Sequence, residues 1–188
     1  MTANAIPLEQ LDTDALEDSI YRKVSWRIVP LFICCFLFAY LDRVNISFAK
    51  LQMASDLGFS ETVYGLGASL FFVGYFLFEV PSNVLLKKLK PSRWIAFLMF
   101  GWGACTIGLG GAQNYATVTA VRFLLGMFEA GLFPGLVFYL TFWYRASERS
   151  MRVAVILASA TLAGAFGGAI AYGVGHMKMV QGLAAWRW

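Results

Sequence analysis

The sequence predicts an all-α membrane protein, folded as a polytopic bundle of transmembrane helices. Of its 188 residues, 59% are hydrophobic and only 14% are charged, and its mean hydropathy is +0.65. A soluble domain usually has about a quarter of its residues charged. The second observation is a series of five apolar segments, each long enough to cross a bilayer core about 30 Å thick, which takes roughly 20 helical residues.

We place the five membrane spans near residues 26–49, 62–86, 93–112, 117–143 and 151–173. A cluster of tryptophan and arginine at residues 186–188 is typical of an interfacial anchor, and it predicts the start of a sixth span near residue 184. Residues 1–20 are acidic and carry leucines at helical spacing. They predict a cytoplasmic N-terminal tail that is either a short surface helix or disordered, and not a cleaved signal peptide.

The basic residues predict the orientation of the bundle. Ten fall in the N-terminal flank and in the second and fourth loops: Arg22, Lys23, Arg27, Lys87, Lys88, Lys90, Arg93, Arg145, Arg149 and Arg152. Only Lys50, Lys178 and Arg187 fall on the opposite side. The positive-inside rule therefore predicts a cytoplasmic N-terminus and places residue 188 outside.

The residue types disfavour several other classes of protein. There is no Walker-type phosphate loop, no zinc-ligand spacing and no nucleophile elbow, and the single histidine, His176, cannot by itself form a metal site. The net charge of +4 lies in short loops rather than on one face. The sequence thus predicts no enzyme, metal or cofactor and no binding of nucleic acid.

Five ionisable residues lie at or near membrane depth: Asp42, Arg43, Glu79, Arg122 and Glu129. Each costs at least about 2.5 kcal/mol at the centre of a membrane helix unless it meets a partner or a wet cavity. Asp42 and Arg43 either follow a short first helix in an outer loop or lie within a longer one, and we favour the longer helix. Glu79 lies about two turns from Lys87, which predicts a structural role beside the loop charges.

The remaining charges predict an anion site or, as an alternative, a set of static salt bridges. Arg122 and Glu129 are seven residues apart, so they share one helix face about 10 Å apart. Arg43 should lie at a depth similar to Arg122, with Glu129 deeper. Two arginines above a titratable carboxylate would suit an anion, whereas pairing with Asp42 and Glu129 would be structural.

Small residues in the fifth span predict close packing against another helix. Ala160, Gly164 and Gly168 form one stripe, and Ala165, Ala169 and Gly173 form a neighbouring one. Such stripes let two membrane helices approach closely.

Three stretches of the sequence resemble the anion:cation symporter family of the major facilitator superfamily, in particular its bacterial branch of organic-acid importers. They are residues 40–49 (YLDRVNISFA), 60–72 (SETVYGLGASLFF) and 78–83 (FEVPSN). Residues 122–126 (RFLLG) are similar to the fourth-helix motif of the superfamily. The resemblance covers nearly the whole chain from about Tyr21 onward.

The resemblance implies a role for individual residues. It implies substrate binding by Arg43, Arg122, Tyr40 and Tyr75, and proton coupling by Glu129 and Asp42. Asn83 and Lys87 replace the usual Gly and Asp of the loop motif after the second helix, and residues 163–168 (AGAFGG) lack the proline of drug antiporters.

Members of this family have two halves of six helices, so residues 21–188 are expected to form an incomplete N-terminal half. The resemblance implies import of a small organic anion with a proton by alternating access, in the bacterial inner membrane, together with a missing C-terminal half. The chain alone is then expected to be inactive. Alternatives are a uniporter or antiporter for another small solute, or a membrane scaffold subunit without transport.

Overall fold

The computed structural model describes residues 8–58 and 60–176, and within this part the chain is helical with short connections. The helices are α1 (Leu8–Leu57), α2 (Glu61–Lys88), α3 (Pro91–Gly110), α4 (Tyr115–Ala130), α5 (Leu132–Leu140) and α6 (Ala146–Gly175). The predicted start of a further span near residue 184 lies outside the described residues.

Five helical segments of the described chain are long and apolar enough to span a membrane: Leu16–Ser47, Tyr64–Lys88, Pro91–Gly110, Tyr115–Leu140 and Ala146–Gly175. The described residues contain no strand. The predicted fold class, an all-α bundle of membrane helices, is therefore confirmed.

Helix α1 is longer than the first predicted span at both ends. It begins at Leu8 and continues without interruption to Leu57. The acidic residues from 8 to 20 thus belong to this helix and do not form an element of their own. Asp42 and Arg43 also lie within α1 and within its apolar segment, so the alternative that placed both in an outer loop is wrong.

The fourth span is interrupted at Gly131, between α4 and α5. Pro134 has no N–H to donate to the carbonyl of Ala130, and its ring would clash with that carbonyl in a continuous helix. The peptide N–H of Gly135 instead bonds to the carbonyl of Gly131 at 3.0 Å. The last turn before this break carries Glu129.

Helices α2 and α4 lie in direct backbone contact at two glycines. A side chain at Gly74 would collide with the backbone carbonyl of Phe123, and one at Gly126 would collide with that of Phe71. Because glycine lacks a Cβ atom, both crossings bring the two backbones together. This close contact fixes the position of α2 side chains relative to those of α4.

Helix α6 packs against α1 through a stripe that differs from the predicted ones. Its buried residues are Ile156, Ser159, Ala163 and Gly167, and an added Cβ at Gly167 would lie 3.2 Å from Leu41. Gly164 is exposed, as are Ala165, Ala169 and Gly173 of the second predicted stripe. The stripe that packs within the described bundle is therefore neither of the two predicted ones, since small residues occupy several faces of this helix.

Helix α5 lies at the centre of the larger hydrophobic core. Leu132, Leu136 and Leu140 are almost fully buried and pack with Phe32 of α1 and Ile156 of α6, among others. The basic residues Lys87, Lys88, Arg145 and Arg149 lie where α2 ends, α3 begins and α5 joins α6, and we refer to this as the basic end of the bundle. Here Arg145 forms an ion pair of 2.7 Å with Glu17 of α1.

Candidate functional site

An ion pair joins α1 to α4 in the interior of the bundle. The Nε of Arg43 donates to Oε1 of Glu129 at 2.6 Å. The Glu129 side chain is 3% exposed, whereas that of Arg43 is 38% exposed. The carboxylate is thus enclosed by protein, and its partner is reachable from outside.

Two aromatic rings of α2 lie against the guanidinium of Arg43. Its Cζ atom is 4.9 Å from the ring centre of Tyr75 and 5.5 Å from that of Phe71. Phe71 and Tyr75 are four residues apart, so they share one face of α2. Attraction between the cation and the ring faces holds the guanidinium in place without neutralising it.

Arg122 and Asp42 form a second group of opposite charges beside the first. The two residues lie close enough for the charge of each to act on the other. Arg122 is 4% exposed, and its Nε has no hydrogen-bond partner, nor has Oδ2 of Asp42. Since neighbours on a helix diverge by about 100°, Asp42 and Arg43 leave α1 in different directions, and Arg43 is the one that contacts Glu129.

A cavity of about 190 Å³ opens beside the Arg43–Glu129 pair, and we call it the site cavity. Its polar lining consists of Tyr40, Arg43, Tyr75 and Glu129. Its apolar lining consists of Phe36, Ala39, Leu132 and Phe133. Three spans, the fourth of the chain contributing both of its parts, therefore meet around one small chamber with a single pair of opposite charges on its wall.

The structure brings four of the six predicted site residues together, namely the four polar residues of the cavity wall. Arg122 instead lines a separate space of about 10 Å³ together with Tyr64 and Tyr115, and Asp42 belongs to neither lining. The expected arrangement of two arginines above one carboxylate is thus replaced by one ion pair, Arg43 with Glu129, and Arg122 lies in a neighbouring space.

Three aromatic residues of the site were missed by the sequence reasoning. Each of them lies four residues from a predicted site residue. The three pairs are Phe36 with Tyr40, Phe71 with Tyr75, and Phe133 with Glu129. Residues four apart share a helix face. This spacing is the signal that could have identified them.

A wider cleft of about 590 Å³ lies at the basic end, and we call it the basic cleft. Glu79, Asn83, Lys87 and Arg149 contribute its polar lining. Glu79 therefore lies beside loop charges and outside the site cavity, as the sequence predicts. Phe133 lines both the basic cleft and the site cavity.

A bundle of membrane helices with an ion pair on the wall of an interior cavity defines a protein of the membrane-carrier class. The sequence profile described as Major Facilitator Superfamily matches residues 31–188. The chain belongs to this superfamily.

Similar proteins come from fungi and from bacteria. The chain is 58% identical over 187 residues to the MFS transporter prlL of a fungal species, strain NRRL 50135, covering 96% of this chain and 38% of that protein. It is 44% identical to the metabolite transport protein NicT, a provisional name, of Pseudomonas putida, covering 99% of this chain and 43% of that protein.

A protein of Agrobacterium vitis that is provisionally named a tartrate transporter is 46% identical, covering 94% of this chain and 39% of that protein. All three names are those of transporters and not of enzymes. The chain spans about two fifths of the length of these relatives.

Proposed function

We propose that this chain is one half of a secondary active carrier that imports a small organic anion together with a proton. The observation that carries the proposal is the Arg43–Glu129 ion pair on the wall of the site cavity. An accessible guanidinium can bind a carboxylate substrate, and an enclosed carboxylate can hold a proton.

Competition between Glu129 and the substrate carboxylate for Arg43 would couple substrate binding to proton binding. A substrate carboxylate that takes Arg43 away from Glu129 leaves a buried and unpaired charge, since the other oxygen of Glu129 has no partner. Such a charge costs several kcal/mol unless the group takes up a proton. Substrate and proton therefore favour each other's binding, and reciprocity makes the effect equal in both directions.

Tyr40 and Tyr75 supply hydroxyl groups to the same wall, and we assign them to substrate binding. Arg122 and Asp42 lie beside this wall rather than on it. We propose that they set the local charge around Arg43, and that Asp42 is a second acid available to the proton pathway. Their absence from the cavity lining makes them supports of the site rather than direct ligands.

Alternating access requires a second wall opposite the site cavity. In transporters of this kind the substrate binds near the midplane between two halves, and the halves rock against each other. We propose that a C-terminal half supplies that wall. We use the term complete carrier for this chain joined to a C-terminal half. That half is taken either from the chain's own reading frame or from the fungal relative.

The basic end is proposed to face the cytoplasm, in agreement with the charge asymmetry of the loops. The route inward then passes Phe133 into the basic cleft, where Lys87 and Arg149 attract an anion. Similar proteins occur in bacteria and in fungi. We therefore propose a cell membrane as the location, and the bacterial inner membrane stays a prediction.

Uptake into proteoliposomes containing the complete carrier tests the proposal. Radiolabelled carboxylates and matched neutral amides are supplied with and without an acidic exterior, and protein-free liposomes correct for passive entry. We expect carboxylate uptake that the pH gradient increases. Transport of neutral solutes alone would favour the uniporter alternative, and no transport of any solute would favour a scaffold subunit.

A further inference from the structure

The site cavity contains a single cationic group that could bind an anion. Arg43 is the one arginine in its lining, and Arg122 is enclosed in the neighbouring space behind Phe71. A second carboxylate on the substrate would find no second cation in this lining. This wall therefore suits a substrate with one carboxylate better than one with two.

The rest of the cavity wall is apolar and largely aromatic. Phe36 and Phe133 lie with their ring centres 5.2 Å apart and inclined at 45°, and Ala39 and Leu132 continue this surface. On this wall the hydroxyls of Tyr40 and Tyr75 and one oxygen of Glu129 are the groups left to meet a substrate hydroxyl. A substrate with several hydroxyl groups would lose water there without equivalent hydrogen bonds, which is costly.

We infer that the substrate is a small aromatic monocarboxylate, whose carboxylate binds Arg43 and whose ring packs against Phe36 and Phe133. The inference rests on the proposed function and narrows it. It differs from the dicarboxylate that the name of the Agrobacterium relative would suggest. Ring packing adds a geometric preference to simple burial, because aromatic rings favour inclined or offset contacts.

Ligand-induced thermal stabilisation of the purified complete carrier tests this inference, since the rise in melting temperature with concentration reports the dissociation constant. The probes are 4-hydroxybenzoate, cyclohexanecarboxylate, tartrate, gluconate and the neutral 4-hydroxybenzamide. We expect 4-hydroxybenzoate to bind at least about tenfold more tightly than tartrate, gluconate or the amide. Binding of tartrate or gluconate as tight as that of 4-hydroxybenzoate would overturn the inference and leave the proposed function intact.

The amide separates this inference from the proposed function. If none of the carboxylates binds more tightly than 4-hydroxybenzamide, recognition of an anion is itself wrong. If a carboxylate binds more tightly than the amide, the order among the carboxylates decides the inference alone.

Leucine variants of the two rings provide a second measurement. Phe133→Leu and Phe36→Leu keep an apolar wall but remove the aromatic face, so each should weaken 4-hydroxybenzoate by about three- to tenfold and change cyclohexanecarboxylate by less than about twofold. Phe100→Leu on α3, whose side chain is 79% exposed, is the matched control and should change neither. Equal effects on both acids in the two cavity variants would show that the wall does not recognise an aromatic ring.

Discussion

Replacing Glu129 with glutamine should separate substrate binding from proton-driven accumulation. Glutamine retains the shape of the protonated acid but cannot release a proton. Arg43 would lose its ion-pair partner at 2.6 Å and become free for the substrate. The variant should therefore still bind and exchange substrate, while the pH gradient no longer drives uptake.

The expected magnitude follows from the charges on the cavity wall. Glu129 is the one carboxylate in that lining, which predicts one proton per substrate. A gradient of one pH unit then supplies about 1.4 kcal/mol, or a tenfold concentration ratio at equilibrium. A monocarboxylate that enters with one proton carries no net charge, so the membrane potential adds nothing. The parent should reach a ratio of about ten and Glu129→Gln a ratio of about one.

The assay compares accumulation and exchange in the same proteoliposomes. Exchange is followed with labelled substrate outside and unlabelled substrate inside, without a gradient, and should keep at least about a third of the parent rate. Glu79→Gln is the matched control, because Glu79 is a carboxylate of the basic cleft and not of the site cavity; it should accumulate substrate like the parent. A tenfold ratio in Glu129→Gln would refute the coupling argument and transfer the role to Asp42 or to the other half.

Four further predictions address the guanidinium, the helix packing, the orientation and the missing wall. Arg43→Lys keeps the charge but loses the planar fork, so substrate affinity should fall by about tenfold or more, whereas the exposed Arg27→Lys should bind normally in the same thermal-shift titration. Gly126→Ala should lower the unfolding free energy by about 1–3 kcal/mol, because the new methyl group meets the carbonyl of Phe71; Gly103→Ala, with nothing within 4 Å, should be neutral or slightly stabilising, and equal melting temperatures would contradict this packing. A phosphatase that is active only outside the cytoplasm should be active when fused after residue 188, and activity of a cytoplasmic reporter there would reverse the predicted orientation. Liposomes that contain this chain alone should take up no substrate above the protein-free level, and saturable uptake would argue against a shared site.

The fold class could be predicted from the sequence because the bilayer imposes a simple rule on it. A segment of about 20 apolar residues must satisfy its backbone hydrogen bonds within itself, and a helix does so. The positions of the helix ends were predicted less well. Leu8–Leu57 forms one helix although its two ends are polar, since residues 8–26 and 49–57 contain no proline or glycine and the first glycine after them is Gly58, with a φ of 67°.

Spacing pointed to the charged residues of the candidate site, and the resemblance to the symporter family implied its two tyrosines. Spacing could not assign partners. Glu129 shares a helix face with Arg122 in the sequence, yet its ion pair is with Arg43 on another helix. The contact of Gly126 with α2 and the packing of α1 in the bundle determine that choice, and neither is encoded in the spacing within one helix.

The sequence by itself determined that this protein is a bundle of membrane helices with a few buried charges, because hydropathy and the cost of charge in lipid act on each segment separately. Only the tertiary structure decided which charges pair, that Arg122 lies outside the site cavity, and that Phe36 and Phe133 form its wall. The physical reason is that ion pairs and cavities form between helices, where close approach at glycine and the break at Gly131 set the distances.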